Sequence, residues 1–221
     1  MCVMLLFIDL FYIENVLLSR INSYLCKNSI SMNREKAIHT MTYNSPCGDL
    51  LIGSCEGALC LCDWASKPKR AVTDAMIRRL SEAEYIAMPS EVTRLAARQL
   101  DEYFAGRRRY FDVPLRMFGT EFRRRVWQAI GEVPYGDTIS YGELAERVGD
   151  SRAVRAVAAA VGANPVSIFV PCHRVVGRDG ALVGYAGGLE AKRRLLELEG
   201  ADVRRQGRPA AEGIIYTASM K

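Results

Sequence analysis

Histidine is almost missing from this chain: His39 and His173 are the only two among 221 residues. A zinc site would have to rest on cysteine, yet Cys2, Cys26, Cys47, Cys55, Cys60, Cys62 and Cys172 include no Cys-x-x-Cys pair. Cys55, Cys60 and Cys62 therefore read as buried strand residues, and no metal is expected. Seven cysteines without dense, even spacing exclude a secreted disulfide scaffold and fit a reducing cytoplasm. Long apolar runs are lacking too. The opening run from Cys2 to Phe7 is interrupted by Asp9 and Glu14, well short of the roughly 20 apolar residues of a membrane span. It also lacks the basic start and small-residue cleavage site of a signal peptide, so no membrane partner is expected. Charge of one sign does not dominate: the net charge of +5 permits phosphate contact without demanding it. What is present, 49% hydrophobic and 25% charged residues, is ordinary for a globular protein of one large or two small domains.

Residues 1–36 are read as an extension without assigned function, either an accessory helix or a mis-assigned start, since Met32 and Met41 are alternative starts. From Ile38 to Trp64, short apolar runs alternate with Asn44-Ser45-Pro46-Cys47-Gly48-Asp49 and Glu56-Gly57, the pattern of β-hairpins. Arg78 to Met88 is too polar to assign. Glu91 to Phe104 carries Val92, Leu95, Ala96, Leu100 and Phe104 at helical spacing and closes at Gly106. These residues, 37–113, form a small α+β scaffold domain. Arg107-Arg108-Arg109 reads as a solvated linker to a second domain, 114–205, and 206–221 as a disordered tail.

In the second domain Phe122, Val126, Trp127 and Ile130 share one helical face that ends at Gly131. Glu121 is favourable at its start. Ser140-Tyr141-Gly142-Glu143 is a capping-box pattern opening a helix. After Gly149-Asp150, Ser151 is placed to cap a second helix from Arg152 to Val161. Helix, short glycine-containing turn, helix is the spacing of a helix-turn-helix. Beyond Arg155 the second helix offers only Ala and Val, too little to read base edges in a major groove. Such small residues suit close approach to a minor groove or plain helix-on-helix packing, and composition leaves both open.

The chain is organised around Asn164 to Val176, Asn-Pro-Val-Ser-Ile-Phe-Val-Pro-Cys-His-Arg-Val-Val. Val166 to Val170 reads as a short buried strand bracketed by Pro165 and Pro171. Cys172 then stands at a rigid exit from the core. A thiol attacks as thiolate, and His173 and Arg174 supply a base and positive charge beside it. Glu199, at the end of a helix read as Leu189 to Glu199, opposes the helix dipole. An acid there wants a partner, and His173 would give it one, as in Cys-His-acid arrangements. Adjacent residues on a strand point to opposite sides, so a turn at Pro171 or a bridging water must bring the thiol and imidazole together.

Pro171-Cys172-His173-Arg174-Val175, with Asn164-Pro165-Val166 upstream and Gly184-Tyr185-Ala186-Gly187-Gly188 downstream, resembles the O6-alkylguanine-DNA alkyltransferases, or methylated-DNA–protein-cysteine methyltransferases. The likeness is densest from Phe122 to Gly200, with a weaker match at Asn44-Ser45-Pro46-Cys47-Gly48. It implies an α+β fold: a small amino-terminal sheet-plus-helix domain, then a mostly helical carboxy-terminal domain with a helix-turn-helix and a short active-site strand. It also implies a DNA-repair protein that flips O6-methylguanine, and more slowly O4-methylthymine, out of double-stranded DNA. The alkyl group moves irreversibly to the protein's own cysteine, with no cofactor, and the protein is expected to act as a cytoplasmic monomer.

By the same resemblance Cys172 is the acceptor, His173 the base acting through a water, Glu199 its carboxylate partner, and Asn164 the residue fixing the turn near the thiol. Tyr141 crowds the phosphate 3′ of the lesion and contacts the flipped guanine. Arg155 enters the duplex where the base left. Tyr185, Ala186 and Gly187 form a wall of the alkylguanine pocket, although Ala186 lacks the serine hydroxyl of some relatives. Lys192 matches a pocket-side lysine and reads equally as a solvated helix residue. Thr120-Glu121-Phe122 replaces the usual Thr-Pro-Phe. Three rivals are weaker. A lesion sensor of this type has the cysteine replaced, a fused regulator would need a module ahead of residue 117, and a cysteine hydrolase would turn over.

Overall fold

The computed structural model describes residues 36–68 and 70–201. The expected amino-terminal extension, apart from Lys36, and the expected tail at 206–221 lie outside the described residues. The first unit is a sheet of four strands, β1 (Ala37–Ser45), β2 (Gly48–Cys55), β3 (Ala58–Trp64) and β4 (Glu84–Ile86), in the order β3-β2-β1-β4. β1–β2 and β2–β3 are antiparallel hairpins and β4 joins β1 in parallel. The second hairpin turns at Glu56 and Gly57, both with positive φ, the backbone that a two-residue turn needs to match strand twist.

β3 is buried almost throughout because both faces of the sheet are covered. Helix α1 (Arg70–Ser81) lays Ile77 against Ile38, Cys60 and Leu61 on one side. Helix α2 (Glu91–Phe104) packs Ala96, Leu100 and Tyr103 on the other. The sequence shows α2 plainly, and Ser90 caps it through a reciprocal bond pair with Thr93. It does not show α1, whose buried residues are only Thr73 and Ile77. Cys55, Cys60 and Cys62 are free thiols buried in β2 and β3.

The second unit holds α3 (Glu121–Gly131), strand β5 (Ile139–Ser140), α4 (Tyr141–Arg147), α5 (Val154–Gly162), strand β6 (Val175–Val176) and α6 (Gly188–Leu198). Thr120 caps α3 although the usual proline is replaced. Trp127 fills the space beside Gly119, and its indole N–H donates to the Ala160 carbonyl at 2.8 Å, tying α3 to α5. The capping box at Ser140 and Glu143 forms as read. α5 begins two residues later than expected, and Ser151 does not cap it. Asp150 Oδ1 instead accepts from the Arg152 N–H, which closes the turn before the helix.

The expected strand Val166–Val170 is also corrected. Val166 bridges Cys62 and Ser167 bridges Val170, while Ile168 takes a positive φ of 73°, so the segment folds back on itself. It hangs on the edge of the first sheet: Cys62 N–H donates to the Pro165 carbonyl at 2.9 Å and Ser167 N–H to the Cys62 carbonyl at 2.6 Å. The short strand of this region is β6, just after the Cys-His-Arg turn, paired with β5. One apolar core runs from Leu50, Ile52 and Leu100 through Val126 and Ile130 to Val166 and Leu195.

Candidate active site

Cys172 does not leave a strand. Pro171 ends the folded-back segment, and Cys172–Arg174 wind into a single 3-10 turn, which removes the strict side-to-side alternation a strand would impose. Asn164 staples the approach to this turn. Its amide Nδ2 donates to the Val170 carbonyl at 2.9 Å and its Oδ1 accepts from the Val166 N–H at 3.0 Å. The thiol is buried but lines a cleft of about 930 Å³. Burial pushes its pKa up, while the Asn164 side chain, Lys67 and Lys192 draw it back down and Asp63 adds to the rise.

His173 and Glu199 meet as expected. His173 Nε2 lies 2.9 Å from Glu199 Oε1, both side chains being fully buried. Glu199 caps the carboxy-terminal end of α6, where the helix dipole opposes it, and Arg174 offsets that. The Arg174 guanidinium grips both carboxylate oxygens, Nε to Oε2 at 2.8 Å and Nη2 to Oε1 at 2.9 Å. Tyr103 Oη donates to Oε1 at 2.8 Å, and the Gly136 N–H reaches Oε2 at 3.3 Å. Burial alone would raise the Glu199 carboxyl, yet His173 and Arg174 hold it far below the usual range. An ionised carboxylate only accepts, so Nε2 carries the imidazole proton. Nδ1 is then the basic lone pair, and it has no hydrogen-bond partner among the described residues. Burial, chiefly, lowers the pKa of His173; Glu199 opposes that fall, and Arg174 and Lys192 add to it. The ring is a neutral base at ordinary pH.

Of the remaining expected residues, Tyr141, Tyr185 and Ala186 wall the cleft and Arg155, Gly187 and Lys192 do not. Tyr141, the first residue of α4, lines it with Asn164, Tyr185, Ala186 and the α5 residues Ala158 and Ala159. Burial, reinforced by the nearby Cys172, raises the Tyr141 phenol. Arg155 stands exposed in the first turn of α5, outside the cleft. Gly187 does not line it. A Cβ there would fall 2.5 Å from the Trp64 ring, so this glycine admits a tryptophan of the first unit, which also meets Tyr185 edge-on at 5.7 Å. Lys192 is not solvated: it is fully buried, and its ammonium donates to the Val175 and Val183 carbonyls at 2.6 and 2.7 Å. Burial lowers its pKa to about 8.

Several participants were not singled out from sequence. Arg174 was read only as positive charge beside the thiol, and its grip on Glu199 needed the fold. Tyr103, Trp64, Asp63 and Lys67 come from the first unit, and nothing in their local sequence distinguishes them from packing or surface residues.

The family described as 6-O-methylguanine DNA methyltransferase, DNA binding domain, matches residues 121–201. Its companion, the ribonuclease-like domain, matches residues 38–117. The methylated-DNA–protein-cysteine methyltransferase of Methanosarcina acetivorans is 44% identical over 160 residues, which is 72% of this chain and 96% of that relative. The protein of the same name from Mycobacterium leprae is 45% identical over 165 residues, 73% of this chain and 92% of its own length. The crystal structure of the Mycobacterium tuberculosis O6-methylguanine methyltransferase is similar with a TM-score of 0.62 at 38% identity, covering 77% of this chain and 96% of that one. The Mycobacterium tuberculosis protein OGT in complex with DNA aligns with a TM-score of 0.63 at 40% identity, covering 73% of this chain and 92% of that one. An α+β chain matched along both units, with a cleft-lining cysteine followed in sequence by a histidine bonded to a buried glutamate, belongs to the methylated-DNA–protein-cysteine methyltransferase family.

Proposed function

We propose that this protein repairs O6-methylguanine, and more slowly O4-methylthymine, in double-stranded DNA by moving the methyl group irreversibly onto Cys172. The observation that carries the reading is the buried Nδ1 of His173, which has no hydrogen-bond partner among the described residues while Nε2 is engaged by Glu199, on the residue next to a cleft-lining thiol. A lesion inside the helix cannot reach a fixed thiol, so the nucleotide rotates out at a cost of a few kcal/mol. Arg155, exposed at the start of α5, fills the gap and pairs with the orphaned base, as a planar, always-charged donor can. The small residues of α5 let its backbone approach the minor groove closely. Tyr141 presses the phosphate 3′ of the lesion and contacts the extruded guanine against Tyr185 and Ala186.

The Cys172 proton passes through a water to His173 Nδ1. The thiolate attacks the methyl carbon in line, a C–S bond forms, and the bond from carbon to O6 breaks. The departing guanine takes back one proton, so the products are S-methylcysteine and unmodified guanine. Glu199 steadies the transient imidazolium and Arg174 keeps Glu199 ionised. Asn164 holds the turn, and Lys192 fastens α6 to β6. The acceptor is the protein itself, so the reaction as written needs no cofactor, and we read the protein as a cytoplasmic monomer. Titrating a methylated duplex with increasing protein tests this. Repair should plateau at one lesion per protein molecule and vanish in Cys172→Ser, whereas repeated turnover by a substoichiometric amount would overturn it.

A further inference from the structure

Beneath the active-site turn lies an ion pair from the first unit that the chemistry above does not use. Asp63, in β3, is completely buried, and Lys67, just beyond the strand, nearly so. Lys67 Nζ donates to Asp63 Oδ2 at 2.8 Å and to the Asn164 main-chain carbonyl at 3.4 Å. Two of its three N–H bonds are thus committed, and the side chain lines the same cleft as Cys172. A buried ion pair is seldom retained for stability, because desolvating both charges consumes most of their attraction. Its placement is the informative part. Asn164 is the residue whose amide holds Val170, two positions before the nucleophile.

We propose that Lys67, braced by Asp63, is a positioning residue for alkyl transfer: it pins the Asn164 carbonyl and fixes a positive charge on the cleft wall that favours Cys172 as thiolate. This rests on Cys172 being the acceptor. The first unit thereby contributes to reactivity and not only to folding. Among the described residues, the charged and titratable groups around the sulfur or lining its cleft are Lys67, Asp63 and Cys62 from the first unit, Arg123 on α3, Tyr141 on α4, His173 in the turn, Tyr185 in the following loop and Lys192 on α6. Among these, Lys67 and Lys192 are the cations that draw the thiol down.

The test reads the thiol and the repair reaction separately. Carbamidomethylation of Cys172 by iodoacetamide, followed across pH by peptide mass spectrometry, needs no DNA and reports thiolate directly. In Lys67→Met the profile should move to higher pH, with reaction at pH 7 about fivefold slower, and methyl transfer from the duplex should slow in parallel. Lys67→Arg should restore most of both. Because Lys67→Met leaves Asp63 unpaired, the Asp63→Asn/Lys67→Met double variant is measured beside it; losing the Asp63 charge that raises the thiol gives back part of the shift, so it should fold normally and react at a rate between those of Lys67→Met and wild type. A wild-type profile and rate in the folded double variant would overturn the proposal, as would failure of Lys67→Arg to recover either. A wild-type protein that reacts with iodoacetamide but not with methylated DNA would instead sink the repair function, leaving the thiolate effect of Lys67 still readable.

Discussion

Glu199 receives the Tyr103 hydroxyl, the His173 ring, the Arg174 guanidinium and the Gly136 amide on its two oxygens. This arrangement sets how the protein responds to acid. A carboxyl lowered on folding adds stability above its unfolded pKa of about 4.3, and that stability is lost as pH falls toward the folded value. His173, lowered mainly by burial, acts in the same direction: below about pH 6.5 the unfolded chain takes up a proton that the native ring resists. The urea midpoint should therefore decline as pH drops below about 6.5 and fall more steeply below about 4.3. Glu199→Gln should flatten the lower limb and cost roughly 3–5 kcal/mol at neutral pH by leaving Arg174 buried without its counter-charge. A midpoint flat from neutral to acid pH, or unaltered by the substitution, would contradict this coupling.

Sequence made the chemistry legible at this scale and hid its support. Cysteine beside histidine, with an acid at a helix end, already suggested a base and its partner. The two residues bracketing that triad, Arg174 and Tyr103, come together only through folding, one of them from 96 positions away in the chain.

Among the elements, α5 carries the sharpest expectation. Arg155 is exposed in its first turn and does not line the cleft, so the role proposed for it is confined to extruding the nucleotide. Arg155→Ala should slow transfer from a methylated duplex about tenfold or more while leaving reaction with free O6-benzylguanine nearly unchanged. Equal slowing of both would remove its role in extrusion. Helices with an apolar stripe and a side-chain cap, α2, α3 and α4, could be read in advance, since periodicity and capping are local. The expected strand at Val166–Val170 could not, because a β-branched, aromatic run looks the same whether it pairs along its length or, as here, touches β3 at one bridge and folds back through Ile168. That reversal is what allows a 3-10 turn to present Cys172.

Across the whole molecule, the two units share one core and do not merely adjoin. Trp64 packs on Gly187 and Tyr185, and the edge of β3 holds the segment leading to Cys172. Gly187 has an ordinary φ, so its substitution is a matter of space alone. Gly187→Ala should cost about 1–3 kcal/mol by forcing the indole aside. Calorimetry should show a single unfolding transition for both units, and two separated transitions would show that the shared core is not cooperative.

The measurement that bears most directly on the account is the mass of the intact protein after one equivalent of duplex carrying a single O6-methylguanine. The expected result is a gain of one methyl group in place of a hydrogen, localised to Cys172 by peptide mapping and absent in Cys172→Ser. Repaired DNA with unaltered protein, or a methyl group on any other residue, would contradict it.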